Sequence, residues 1–217
     1  MEIKYRVTLI CPCYNRPQRT LRAMESVINQ NITTGWQAIF IGDGCPEFQK
    51  MIDGGEFDDF INDQSTKNEF LAINAVQHYG GWGYMARNLG FQLAQGKYTL
   101  FMDNDDVLKP NHFQNYLSGI EGTEYDLAYY DTFIEPINQV RDAQLRFGSI
   151  GHHEIIMKTE LLKDYKQDNT YGHDWSLIEH FVRKGIKTIK VKSEPTYIVK
   201  AVGGFDNRER VDSDYID

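Results

Sequence analysis

Cysteine is scarce in this 217-residue chain: Cys11, Cys13 and Cys45 make an odd number that builds no disulfide framework and fits a reducing compartment. Cys11 and Cys13 flank Pro12 with no second Cys or His pair at zinc spacing, so they read as small buried residues. Long apolar runs are missing as well, none approaching the ~18 residues of a membrane span. From Met1 to Thr8 there is no basic stretch, apolar segment and small-residue cleavage site, so no secretory signal is expected and the cytoplasm is the default location. Without secretion the sequon Asn31-Ile32-Thr33 has no meaning. Positive charge is in deficit: 23 Lys and Arg face 31 Asp and Glu, a formal net charge of −8, which disfavours nucleic acid or an anionic membrane as a partner. An anionic ligand needs a local site, and a bound cation is one way to make it.

What is present is enough for one core, with 41% hydrophobic and 13% aromatic residues in a length that suits a single domain. Short apolar runs alternate with helix-period segments, the pattern of an α/β fold. Tyr5–Cys11 reads as a strand that Pro12–Pro17 breaks. Leu21, Met24, Val27 and Ile28 then recur at helical spacing, with Pro17 suited to a first turn. Trp36–Ile41 is a second strand, ending in Gly42-Asp43-Gly44; the following stretch, 46–64, is acidic and poorly periodic. Phe70–Val76 is a third strand, after which Gly80-Gly81-Trp82-Gly83 opens a helix with Met85, Ala86, Leu89 and Leu93 as its apolar face. Tyr98–Met102 is the strongest strand and stops at Asp103-Asn104-Asp105-Asp106, followed by Pro110 and a helical Phe113, Tyr116, Leu117 pattern. Beyond it, Leu127–Phe133 and Glu154–Met157 read as strands, Asp174–Lys184 as a helix, and Thr188–Val199 as a strand interrupted at Pro195. Residues 203–217 read as a mobile polar tail or lid.

In open α/β sheets ligands bind beyond the carboxyl ends of the strands, which places Cys13–Arg16, Asp43 and Asp103–Asp106 around one crevice. Asp103 and Asp105 stand two positions apart, close enough to address one hard divalent cation, Mg²⁺ or Mn²⁺, which keeps waters and favours phosphate oxygens. The matching ligand is a diphosphate; the competing reading is a solvated turn of ordinary turn formers. Arg87 faces either the crevice or solvent, and Arg16 follows the same logic. His152 and His153 are metal ligands, acceptor contacts or strand-edge residues. Tyr129, Tyr130, Phe133, Tyr171 and Trp175 are either a stacking platform for an acceptor or core. Asp174 opens a helix, where Asp also serves as a cap.

Several segments, taken in order, resemble the nucleotide-sugar-dependent glycosyltransferases of the GT-A fold, family two. Val7–Cys11 with Pro12-Cys13-Tyr14-Asn15-Arg16 is similar to the family's first strand and its P-x-Y-N-R. Gly42-Asp43-Gly44-Cys45 resembles its Asp-Asp-Gly-Ser, with Gly42 for the first acid and Cys45 for the serine. Gly83-Tyr84-Met85-Ala86-Arg87-Asn88-Leu89-Gly90 resembles the A-R-N-x-G helix, Leu100–Asp106 the DxD strand, and Tyr171-Gly172-His173-Asp174-Trp175 the Glu-Asp-Trp element, with His173 where glutamate is usual. The match covers roughly residues 5 to 185, and A-R-N-x-G followed by DxD at this spacing is a specific combination.

The resemblance implies a three-layer α/β/α sandwich with a mixed central sheet and a Rossmann-like nucleotide-binding half at 1–106. An acceptor half at 107–202 and the tail at 203–217 would follow. Pro12, Tyr14, Arg16, Asp43, Gly83, Arg87, Asn88, Asp103 and Asn104 are then donor contacts, Asp105 helped by Asp103 holds Mn²⁺ or Mg²⁺, and Asp174 is the base. The donor would be a UDP-sugar and the acceptor a carbohydrate or glycoconjugate hydroxyl. One base with direct displacement implies inversion, while the altered Gly-His-Asp element leaves retention open. Two other functions fit the same residues: a sugar-nucleotide nucleotidyltransferase, which usually has a glycine-rich first loop where Pro12–Asn15 stands, and an inactive sugar-nucleotide or carbohydrate binder.

Overall fold

The structure, a computed structural model, describes residues 3–32, 35–58 and 67–200; the tail at 203–217 and Thr33 of the sequon lie outside the described residues. Strand β1 (Tyr5–Cys13) sits at the centre of the main sheet because its residues are apolar on both faces. Val7, Leu9 and Cys11 pack to one side and Ile10 to the other. It runs parallel to β2 (Trp36–Gly42) from Val7↔Trp36 to Cys13↔Gly42, two residues longer than its apolar run suggests. Pro12 is tolerated inside the strand because pairing with β4 (Gly96–Phe101) on the other side stops at Ile10↔Phe101, so its missing N–H breaks no ladder there.

Next to β2 lies β3 (Glu69–Asn74), also parallel. On the far side of β4, β9 (Ile155–Lys158) runs antiparallel to both β4 and β6 (Leu127–Tyr129), and β10 (Thr188–Lys190) closes the sheet, giving the order β10-β6-β9-β4-β1-β2-β3. Helices cover both faces. The α1 (Pro17–Ile28), α2 (Pro46–Asp53) and α4 (His112–Ser118) helices bury Met24, Phe48 and Phe113 against one face. The α3 (Tyr84–Leu93), α5 (Thr159–Leu162) and α6 (His173–Arg183) helices bury Phe91, Leu162 and Ile178 against the other. This is the expected three-layer α/β/α sandwich with a mixed central sheet. No helix among the described residues is long and apolar enough to cross a membrane.

Several expectations change. The acidic stretch after Cys45 holds α2, started by the Cys45 Sγ accepting from the Phe48 N–H at 3.4 Å and by Pro46 in the first turn. Leu127–Phe133 is not one strand. The chain leaves the main sheet at Tyr130, whose ring stacks on Tyr116 in the core (4.0 Å, 11°), and re-enters pairing as β7 (Thr132–Ile134) in a second sheet. The interruption of Thr188–Val199 at Pro195 is as expected, but its second part, β11 (Tyr197–Val199), lies in the second sheet while β10 stays in the first. That second sheet has the order β5-β11-β7-β8, with β5 (Val107–Leu108) and β8 (Gln139–Arg141) at its edges. The buried face of α3 is Ala86, Arg87, Gly90 and Phe91, and Leu89 is 36% exposed. Gly90 accounts for the rotation: a Cβ there would lie 2.6 Å from Ile10 Cγ2, so the helix rests on β1 through its glycine.

Candidate active site

The carboxyl ends of β1, β2 and β4 meet, as the strand pattern predicts. After β1, Asn15 takes a left-handed φ of 49° at the turn into α1, and its N–H donates to Cys45 Sγ at 3.1 Å, tying the first loop to the second. After β2, Gly42 leaves room that Asn74 fills. A Cβ on Gly42 would lie 2.2 Å from Asn74 Oδ1, while Asn74 accepts from the Cys45 N–H and donates to the Cys45 carbonyl. The acid missing at position 42 is therefore replaced by an amide from β3 that braces the turn. Asp43 is buried, and its carboxylate accepts from the Tyr79 N–H (3.0 Å) and the Gly80 N–H (2.9 Å), with His78 Nδ1 3.0 Å from Oδ2. Asp43 thus organises the 78–80 loop, and the rings of Tyr14 and His78, each a little under half exposed, stack beside it (4.3 Å, 23°).

Gly83 completes this wall at φ 79°; a Cβ on it would lie 2.6 Å from Pro12 Cβ, so the loop before α3 leans directly on the end of β1. Arg87 is buried and turned to the crevice floor. Its Nη2 donates to Asp103 Oδ1 at 3.0 Å, its Nη1 donates to the Trp82 carbonyl at 2.6 Å, and His173 Nε2 stands 3.5 Å away. Burial, then the Arg87 charge, pushes the His173 pKa down, so a neutral imidazole presents its lone pair to the guanidinium. Asn88 and Asn104 point elsewhere. Asn88 exchanges two 2.8 Å hydrogen bonds with the Gln167 backbone, and buried Asn104 donates to Thr20 Oγ1 at 2.9 Å, so each holds a neighbouring segment.

At the end of β4 three carboxylates crowd together. Asp103 is 45% exposed at its side chain; Asp105 Oδ2 is held by Arg16 Nη1 at 2.7 Å with Arg19 Nη1 at 3.7 Å. Asp106 is buried, accepting from the Tyr197 hydroxyl (2.8 Å) and the Lys200 N–H (2.9 Å), and the same hydroxyl accepts from the Asp103 N–H (3.0 Å). Desolvation, with repulsion from Asp103, raises the Asp105 pKa against the pull of Arg16; desolvation and both neighbouring carboxylates push Asp106 well up. Excess negative charge at a strand end, one carboxylate of it open, fits a divalent cation that takes one or two carboxylates and completes its shell from phosphate oxygens and water. Among the described residues no three His, Cys, Asp or Glu side chains form a metal-holding group, so an all-protein cage is not what the crevice provides.

Of the two histidines, His153 Nδ1 lies 3.9 Å from Asp103 Oδ2 with its ring stacked on Tyr197 (4.7 Å, 22°). His152 is buried against Phe101 and meets the Gln167 side-chain amide at 2.9 Å, away from the carboxylates. The α6 helix starts at Gly172 (φ 77°), which uses no side-chain cap, and Asp174 follows as its second residue, its Oδ1 accepting from the Trp175 N–H at 2.8 Å. A Cβ on Gly151, the residue before the histidine pair, would meet His153 within 3.2 Å and Asp174 Oδ2 at 3.7 Å, which brings Asp174 to the same side of the crevice as His153 and Asp103. Of the five aromatics expected as a platform, Tyr130 is core, Tyr129 and Trp175 pack on the sheet, Phe133 is half-buried, and Tyr171 alone is exposed. Composition and periodicity give no sign of Asn74 or Tyr197 as site residues; each comes from a strand far off in sequence, Asn74 from β3 directly beside Gly42 and Tyr197 from the second sheet.

A parallel Rossmann-like half joined to an antiparallel β9, with acids at the end of β4, is the GT-A fold. Glycosyl transferase family 2 matches residues 8–183, and the chain belongs to that family. A relative from Rickettsia bellii described as an uncharacterized glycosyltransferase is 32% identical over 125 residues, 57% of this chain and 16% of that one. The structure of Staphylococcus aureus TarS 1–349 in complex with UDP superimposes with a TM-score of 0.71 at 15% identity, over 89% of this chain and 60% of that one. The mannosyltransferase PcManGT from Pyrobaculum calidifontis, in complex with GDP-Man and Mn²⁺, gives 0.67 at 14% identity, over 90% and 56%. The chain thus spans less than two thirds of each of these proteins.

Proposed function

We propose that this chain transfers a sugar from a nucleotide diphosphate, with UDP as the nucleotide, to a carbohydrate or glycoconjugate hydroxyl with inversion. The reading rests most on one observation: the ends of β1, β2 and β4 carry Tyr14, Asp43 and Asp103 to one crevice that Arg87 closes from below and α6 flanks with Asp174. The bound UDP of one structural neighbour and the GDP-Man and Mn²⁺ of another support a nucleotide-sugar donor and a divalent cation. Residues 1–106 would hold the donor and 107–202 the acceptor. The three free thiols are in keeping with action in the cytoplasm.

In this reading Tyr14 and His78 offer the base a flat surface, and Asp43 holds the loop that shapes it. Asp103 and Asp105 would hold Mn²⁺ or Mg²⁺, which stabilises charge growing on the departing diphosphate more than in the ground state. Arg87 fixes the orientation of Asp103 through Oδ1, and the other oxygen lies on the His153 side, 3.9 Å from Nδ1. Asp174 takes the proton from the acceptor hydroxyl as it attacks, a role that contributes about 10²–10⁴ in rate.

Calorimetry and turnover assays with UDP-sugars and Mn²⁺ test this. Asp105→Asn is expected to abolish Mn²⁺-dependent UDP binding, and Asp174→Asn to lower turnover about 10²-fold with donor affinity nearly intact. Parental UDP affinity in the first variant or parental turnover in the second would remove that residue from its role. Release of pyrophosphate in place of UDP would make the protein a nucleotidyltransferase.

A further inference from the structure

Four consecutive residues before α3 have positive φ: Gly80 (69°), Gly81 (59°), Trp82 (52°) and Gly83 (79°). Three are glycines, for which the conformation is free of strain; Trp82 is not, and a bulky residue held there is a local cost. Burial of the ring offsets that cost only in part, since Trp82 is 50% exposed. Its main chain is fixed by the Arg87 guanidinium on the carbonyl, and Gly81 packs against Asn169, where a Cβ would lie 2.0 Å from Oδ1. The indole therefore stands outward on a pinned backbone.

Two further large aromatics meet it from distant parts of the chain. Tyr171 is 61% exposed and lies edge-on to Trp82 (6.1 Å, 71°), and Phe147 is 57% exposed and edge-on to Tyr171 (6.2 Å, 63°). The Phe147 ring also lies on Gly172, where a Cβ would be 2.5 Å from Cε2, and Gly172 is the residue that starts α6 two positions before Asp174. The Trp82 ring in turn neighbours that of His173, 6.2 Å away and tilted by 39°. An exposed aromatic surface built from three segments thus borders the carboxylate assigned as base. Aromatic faces of this kind match the C–H face of a pyranose, which has apolar area for the rings and hydroxyls left for water.

We propose that Trp82, Tyr171 and Phe147 form an acceptor subsite that stacks a pyranose ring and delivers its neighbouring hydroxyl to Asp174. This rests on the transferase reading and adds the residues that hold the acceptor and the ring form they select. The strained backbone supplies a discriminating variant: Trp82→Gly removes the ring and suits the φ of that position, so the fold should persist with an unchanged melting temperature. A merely structural tryptophan would cost stability instead.

The test uses saturation-transfer NMR on the full chain with methyl β-D-glucopyranoside, methyl β-D-galactopyranoside and methyl N-acetyl-β-D-glucosaminide as probes, and calorimetry with UDP and Mn²⁺ in parallel. At least one glycoside should bind through its axial ring protons, with affinity at least about tenfold weaker in Trp82→Gly and in Phe147→Ala, a free-energy loss equivalent to the tenfold interval of RT ln 10. UDP affinity should stay unchanged in both variants. Absence of glycoside binding to the parent, or equal binding to Trp82→Gly, overturns the subsite while leaving the donor reading to stand on UDP. Failure of UDP to bind, with glycoside binding still dependent on Trp82, sinks the donor reading and leaves the stacking surface in place. A parental dimer that Trp82→Gly converts to monomer would assign the patch to a second copy of the chain and overturn the proposal.

Discussion

Tyr197 shows how much one hydroxyl can organise. It donates to the Asp106 carboxylate and accepts from the Asp103 N–H, so a residue of β11 fixes the main chain of one acid and the side chain of another. Burial and the Asp106 charge push its own pKa well up, keeping the hydroxyl protonated and able to donate. Tyr197→Phe keeps the ring stacked on His153 but leaves the buried Asp106 carboxylate held by the Lys200 N–H without the tyrosine hydroxyl. Losing a hydrogen bond to a buried acceptor costs about 1–3 kcal/mol, and chemical denaturation is expected to show a loss in that range. A variant as stable as the parent would mean that water replaces the hydroxyl. At this scale the sequence is legible where a residue acts locally: Arg87 at the helix start does meet Asp103 at the strand end. It was unreadable where a partner comes from afar, since nothing near Gly42 announces Asn74, and nothing near the acids announces Tyr197. Cys45 is an intermediate case, because a cap needs only a short acceptor before Pro46-Glu47, and its sulfur serves.

Elements were placed best where both faces of a strand are buried. The first, second and fourth strands read as continuous apolar runs because helices cover both sides of them. Leu127–Phe133 divides between two sheets, and so do the two halves of Thr188–Val199 on either side of the expected break at Pro195: side-chain pattern records burial but not which sheet does the burying. Hydrophobic spacing does not report the rotation of α3, because its contact with β1 is made by a glycine, Gly90. That contact gives a prediction against propensity. Alanine favours a helix interior over glycine by ~1 kcal/mol, yet Gly90→Ala is expected to destabilise, since its methyl would enter Ile10 and force the helix off β1 at a typical cost of about 1–3 kcal/mol. A rise in melting temperature would show that the helix can lift without loss.

Over the whole molecule, buried histidines set the response to acid. His112 is fully buried, with Nδ1 2.9 Å from Thr196 Oγ1 and Nε2 without a partner, and desolvation lowers its pKa to about 3. His152 and His173 are shifted in the same direction, first by burial. A histidine whose folded pKa lies below its unfolded value near 6.5 stays neutral in the native state while the unfolded chain takes up a proton. Its contribution is complete above about pH 6.5 and is lost as pH falls from there toward its folded pKa, which is about 3 for His112, with a slope approaching ~1.4 kcal/mol per pH unit. Asp106, raised in the folded state, works in the opposite sense above the ordinary carboxylate range. His112→Asn should therefore flatten the melting-temperature profile between pH 6.5 and 5 relative to the parent, whatever it does at pH 8. An unchanged slope would show that the ring is already protonated or hydrated in the native state.

The position of β9 has a consequence for how the chain comes off the ribosome. Residues 96–101 are made well before 155–158, yet it is the later segment that covers their free edge and links them to 127–129. For some fifty residues of synthesis the nascent polypeptide presents an unpaired apolar ribbon, a template for sticking to its neighbours until the antiparallel strand arrives.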